Sequence, residues 1–174
     1  MRFESFLLAL VFLAPSLSAQ EFKPPADEDS EPSSIRVGLT GFSSRVGVDF
    51  KGANQLISSL AFDVADLYSS RVRVRPSGEI GVGGGQDTYV ASLDVMFRFT
   101  EDSERAVPYV GFGLGLFGHP GCGPAADCPK LWPQFSLGFE LNFRPGINWL
   151  LEYRGEDALR RHRFFIGLAT RRGG

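Results

Sequence analysis

Residues able to do chemistry gather in one stretch, Gly118 to Leu131, read G-H-P-G-C-G-P-A-A-D-C-P-K-L. It holds both cysteines of the chain, Cys122 and Cys128, with His119 and Asp127 beside them. Two thiols in a short Gly/Pro-rich loop of an exported chain can close a disulfide. So small a loop would give an entropic gain of about 2–3 kcal/mol at most. The same thiols with an imidazole and a carboxylate could instead hold a metal ion. His119 and Asp127 could also act as base and orienting acid for a serine, although the loop itself contains none. An oxidising compartment favours the disulfide, so we expect Cys122–Cys128 to pair and assign no metal ligand, cofactor or catalytic residue.

The N-terminus argues for export. Phe6 to Ala14 reads FLLALVFLA, and Pro15-Ser16-Leu17-Ser18-Ala19 offers a small-residue exit. This fits a secretory signal over 1–19, cleaved after Ala19. The run is shorter than the roughly 20 residues a spanning helix needs. Gln20 to Ser34 is acidic, Pro-rich and poor in apolar residues, so 20–34 reads as a flexible linker. In the whole chain 18 basic residues face 20 acidic ones, a balance that gives no reason to expect nucleic acid as a partner. No later segment could cross a membrane as a helix, so a membrane role would need strands.

Strands are what the remainder offers. Thr88 to Phe99 alternates with period two: Tyr89, Ala91, Leu93, Val95, Phe97 and Phe99 share one face, opposite Thr88, Val90, Ser92, Asp94, Met96 and Arg98. Arg71 to Val82 alternates likewise, with Arg71, Arg73, Arg75 and Glu79 on one face. Gly83 to Asp87 joins the two as a hairpin. That Gly run is no phosphate loop, because no helix and no Lys-Ser/Thr follow it. Val107 to Phe117 sets Tyr109, Gly111, Gly113, Gly115 and Phe117 against Val110, Phe112, Leu114 and Leu116. Trp132–Phe143, Ile147–Arg154 and Arg163–Thr170 repeat the pattern. Ile35–Phe42 is the first strand, and Arg45–Phe50 could form a short hairpin arm. Leu56–Val64 fits a strand, although Ile57, Leu60, Ala61, Val64 and Tyr68 also fit one helical face.

This gives eight strands over residues 35–172 and an all-β fold: an antiparallel up-and-down transmembrane barrel. Connections at Asp66–Ser70, Thr100–Ala106 and Arg144–Gly146 are short; three of the other four, Ser43–Gln55, Gly118–Leu131 and Gly155–Arg161, are longer, and Gly83–Asp87 is the exception. Short turns at one rim and longer loops at the other suit an outer-membrane barrel, with the cysteine loop outside. The expected lumen set is Arg36, Arg71, Arg73, Arg75, Glu79, Asp94, Arg98, Glu140, Glu152, Arg154 and Arg163. One such charge facing lipid at mid-membrane would cost about 2–4 kcal/mol. Tyr89, Phe99, Tyr109, Trp132, Trp149 and Tyr153 lie near strand ends, where interfacial aromatics belong.

Three segments carry a family resemblance: R-V-R-V-R-P-S-G-E-I-G-V-G (Arg71–Gly83), P-Y-V-G-F-G-L-G-L (Pro108–Leu116) and L-L-E-Y-R (Leu150–Arg154). They resemble the small outer-membrane barrels of Gram-negative bacteria, the OmpA/OmpX-like family. The resemblance implies an eight-stranded barrel in the cell outer membrane, with outer-membrane lipid and the assembly machinery as partners. Such chains commonly end on an aromatic residue, whereas this one ends Arg171-Arg172-Gly173-Gly174.

Three function classes follow. The first is a non-enzymatic surface protein that meets a ligand through its outer loops; about eight strands leave a lumen that side chains fill, which disfavours a general porin. The second is a soluble lipocalin-like carrier, which would turn the aromatic stripes inward around an apolar ligand. The third is a lipid-modifying barrel enzyme. Barrel deacylases and palmitoyl transferases use His with Ser and an acid, but His119 precedes Pro-Gly and His162 precedes Arg-Phe, so no His-x-Ser occurs.

Overall fold

The computed structural model describes residues 35–51, 54–123 and 128–170. The expected signal and linker, Asp127 and the tail 171–174 lie outside the described residues. The alternating segments form β1 (Ile35–Lys51), β2 (Leu56–Leu67), β3 (Val72–Val82), β4 (Thr88–Arg98), β5 (Ala106–Gly118), β6 (Lys130–Arg144), β7 (Ile147–Glu156) and β8 (Arg161–Thr170). Each pairs antiparallel with its sequence neighbour, and β1 pairs β8 from Ser43↔Ala169 to Lys51↔His162, closing the barrel. The shortest strands have 10 residues, and tilted strands of about 9–11 cross a bilayer core.

Period two sends successive side chains to opposite sides of the wall. On β4, Leu93 is 54% exposed and Asp94 1%. The same inversion runs round the barrel. Leu60, Ile80, Val95, Phe112, Leu137, Trp149 and Ile166 face outward, and among the described residues buried polar and charged residues outnumber buried apolar ones about two to one. A soluble barrel would bury the apolar set. This wall is built for an apolar surrounding.

Inner glycines give the large side chains room. A Cβ on Gly138 would meet the Tyr109 hydroxyl at 2.8 Å, one on Gly111 would meet Met96 and Ser136, and one on Gly47 would meet Phe165. The β3–β4 turn needs glycine for a different reason: Gly83, Gly84 and Gly85 have φ of 96°, 65° and 92°.

Three expectations are corrected. The first strand does not stop at Phe42; β1 continues to Lys51. Its register with β2 shifts between Val37 and Gly41, and its apolar positions change from odd (Ile35, Val37, Leu39) to even (Val46, Val48, Phe50). That change of phase makes one bulged strand look like two pieces. The expected strand from Leu56 is present but does not end at Val64; β2 runs on to Leu67, and the helical alternative over 57–68 fails because Ile57 is 1% and Leu60 46% exposed. Finally, the connections 52–55 and 157–160 are short, so 119–129 is the one long connection at its rim.

Candidate functional site

A chain of ion pairs runs the length of the lumen. At the rim of the 68–71 and 99–105 turns, Asp102 binds Arg73 and takes a 3.2 Å contact from Arg98. Arg98 continues to Glu140 at 2.7 Å, where Asn148 also donates at 3.2 Å. Asp63 accepts from Arg75 at 2.7 Å and from Arg73 at 3.3 Å. In the middle, Glu152 accepts from Arg45 at 2.6 Å, Tyr109 at 2.7 Å and Arg154 at 2.8 Å. Arg154 also binds Glu79. Gln134 donates to Asp94 at 2.5 Å. Arg163 then bridges Glu79 at 2.7 Å and Glu156 at 2.9 Å. Arg45 and Arg154 lie 5.3 and 5.5 Å from the Phe165 ring centroid.

Low local dielectric makes such a network strong when paired and costly when broken. The network links every strand from β1 to β8, and the interior of a barrel of about eight strands is just wide enough for side chains to fill.

The mouth at the opposite rim is built differently. Phe117 and Trp132 stack with centroids 4.2 Å apart and an 18° interplanar angle. The Arg161 guanidinium lies 4.8 Å from the Phe117 centroid and 4.7 Å from that of Trp132. Phe117, His119, Cys128, Lys130, Trp132 and Arg161 line a cavity of about 240 Å³. Cys122 and Cys128 form a disulfide beside it. The His119 amide donates to Cys122 Sγ at 3.2 Å, and His119 Nδ1 contacts Gln86 at 2.8 Å. His119, Cys122 and Cys128 bring their donor atoms within 4.8 Å of one another. With the disulfide closed, neither sulfur is the thiolate that a metal would take.

Most of the expected lumen residues meet in the network: Arg73, Arg75, Glu79, Asp94, Arg98, Glu140, Glu152, Arg154 and Arg163 are all buried. Arg36 and Arg71 are exposed and are corrected to rim positions. Arg36 precedes the β1 bulge, and Arg71 lies before β3 begins and pairs with Glu101 at 2.6 Å. Tyr109 is not interfacial. It is 2% exposed and lies inside, because it shares the inward phase of Gly111 and Gly113. Trp132 turns toward the mouth and stacks on Phe117 rather than facing lipid. Tyr153 is half-buried, with its hydroxyl 2.6 Å from His162 Nδ1. Tyr89, Phe99 and Trp149 are exposed on the outer wall.

Sequence reasoning missed Arg45, Asp49, Asp63, Glu156 and Arg161. Asp63 could have been found, since Phe62 and Val64 flank it with the outward phase. Arg45 and Asp49 fall in the connection after the first strand, where only a short hairpin arm is expected, and Glu156 and Arg161 fall in the expected loop Gly155–Arg161.

No protein-family model matches the chain, and no curated protein matches it. Solved structures do. The N-terminal β-barrel domain of Pseudomonas aeruginosa OprF aligns at 14% identity, over 76% of this chain and 98% of that one, with a TM-score of 0.55. Neisserial surface protein A aligns at 12% identity, over 80% and 97%, with a TM-score of 0.52. A de novo designed transmembrane β-barrel aligns at 14% identity, over 75% and 93%, with a TM-score of 0.52. The fold is therefore the closed eight-stranded barrel of small outer-membrane proteins.

Proposed function

We propose that this chain is a non-enzymatic outer-membrane barrel that holds the mouth around Phe117, Trp132 and Arg161, with its disulfide loop, at the cell surface. The ion-pair chain from Asp102 to Arg163 carries this reading. A lipocalin-like carrier needs an apolar interior, whereas here the interior is charged and the apolar residues face out. Both histidines have structural partners at Nδ1, Gln86 and Pro120 for His119 and Tyr153 for His162. A filled lumen supports an anchoring role over a transport role. The test is reconstitution of the folded chain into planar bilayers. Insertion without stepwise conductance fits the proposal, and reproducible single-channel steps would overturn the closed-lumen reading.

A further inference from the structure

The disulfide loop holds an arrangement that a cross-link alone does not require. His119, Cys122 and Cys128 are half-buried, and their donor atoms lie within 4.8 Å of one another. Among the described residues no other three histidine, cysteine or carboxylate side chains converge in this way. Two thiolates with one imidazole form a soft donor set that suits zinc. Tetrahedral zinc, with bonds of ~2.3 Å to sulfur and ~2.0 Å to nitrogen, sets its donors about 3.5–3.8 Å apart. The imidazole would have to close on the sulfurs by little more than about 1 Å to reach that spacing. The Cα atoms of the two cysteines are 5.1 Å apart, close enough for both sulfurs to reach one ion.

The surroundings of the three donors fit a ligand shell as well. The Pro120 carbonyl can only accept, so its 2.9 Å contact places a proton on His119 Nδ1 and leaves Nε2 as the lone-pair nitrogen. Turned oxygen-first, the Gln86 amide beside it accepts from the same nitrogen. A ligating histidine is oriented in this way, by giving its other N–H to a carbonyl. The His119 amide donates to Cys122 Sγ at 3.2 Å, and the Cys122 amide donates back to the His119 carbonyl at 3.0 Å. An N–H aimed at sulfur supports a thiolate charge. His119 and Cys128 both line the mouth cavity, which has room for a water as the fourth ligand.

We infer that the loop is a redox-gated zinc site: with the Cys122–Cys128 disulfide reduced, His119, Cys122 and Cys128 bind one zinc ion. The disulfide takes two electrons and two protons from a dithiol, which leaves as its own disulfide. Zinc then binds both sulfurs, the two thiol protons pass to water, and nothing is oxidised or reduced in that step. All three ligands come from one end of the chain's cysteine loop, so the inference does not depend on the anchoring role.

The test uses the chain folded in non-ionic detergent and reduced with a phosphine, which becomes its oxide and adds no thiol ligand. Zinc retained after gel filtration is measured beside an untreated, oxidised sample. The inference expects one zinc per reduced chain and none per oxidised chain. Cobalt(II) in place of zinc should give the visible absorption of a tetrahedral thiolate site. His119→Ala should weaken zinc binding at least about tenfold, and Cys122→Ser combined with Cys128→Ser should abolish it. His162→Ala, which changes the histidine beside Tyr153, should leave it unaltered. A gel-shift assay on each variant confirms that the barrel is folded. A reduced, folded chain that retains no zinc overturns the inference. Equal uptake by the oxidised chain, or unchanged affinity in folded His119→Ala, overturns it too.

Discussion

Arg45 Nη1 donates to Glu152 Oε1 at 2.6 Å across the lumen, tying β1 to β7 between side chains with no solvent exposure. Glu152 also accepts from Tyr109 and Arg154, so it is the most heavily used acceptor in the middle of the barrel. Its removal leaves two buried guanidinium groups short of a partner. Glu152→Ala should destabilise the barrel by about 3–5 kcal/mol, measured by urea unfolding in lipid vesicles. In a double-mutant cycle, Arg45→Met combined with Glu152→Leu should cost less than the sum of the single changes. Strict additivity would show that the pair is uncoupled.

Tyr109→Phe keeps the ring over Gly138 and removes one bond to a carboxylate. The expected cost is about 1.5–3 kcal/mol in the same assay. Were Tyr109 an interfacial residue, the change would be nearly silent.

The glycines separate the inner wall from the outer. A Cβ on Gly113 would collide with Asp94 and with the Leu93 carbonyl, whereas one on Gly78 meets nothing within 4 Å. Gly113→Ala should cost about 1–3 kcal/mol and slow folding into vesicles. Gly78→Ala should stay within about 0.5 kcal/mol of the parent. Equal effects would contradict the assignment of faces.

The disulfide closes a loop beyond the barrel wall. Replacing Cys122 and Cys128 together by serine should cost at most about 2–3 kcal/mol and leave the folded gel band in place. Loss of that band would mean that the loop is needed to close the barrel.

The strand from Thr88 was legible because its two faces differ at every position, from Tyr89 outward to Arg98 inward. β1 was not legible. Its apolar residues swap phase across the bulge, which hid Arg45 and Asp49 in an apparent loop. Tyr109 lies near a strand end, which suggests an interfacial ring, but it shares the inward phase of Gly111 and Gly113, and phase decides. The mouth was least visible. Phe117 and Trp132 are diagonal neighbours on the paired strands β5 and β6, and Arg161 reaches them from β8, two strands further round the barrel. The local alternation within one strand holds no record of the Arg161 contact.

Leu93, 54% exposed on β4, faces the solvent for which the barrel was built. Leu93→Arg should cost about 2–4 kcal/mol if that solvent is lipid, and should be tolerated if it is water.

The most direct test of the account is to express the chain in a Gram-negative host, isolate outer membranes, and compare boiled with unboiled samples by gel electrophoresis in detergent. A membrane-bound band whose mobility changes on boiling is the result expected of a closed, lipid-facing barrel. A soluble periplasmic protein with the same mobility before and after boiling would contradict the account.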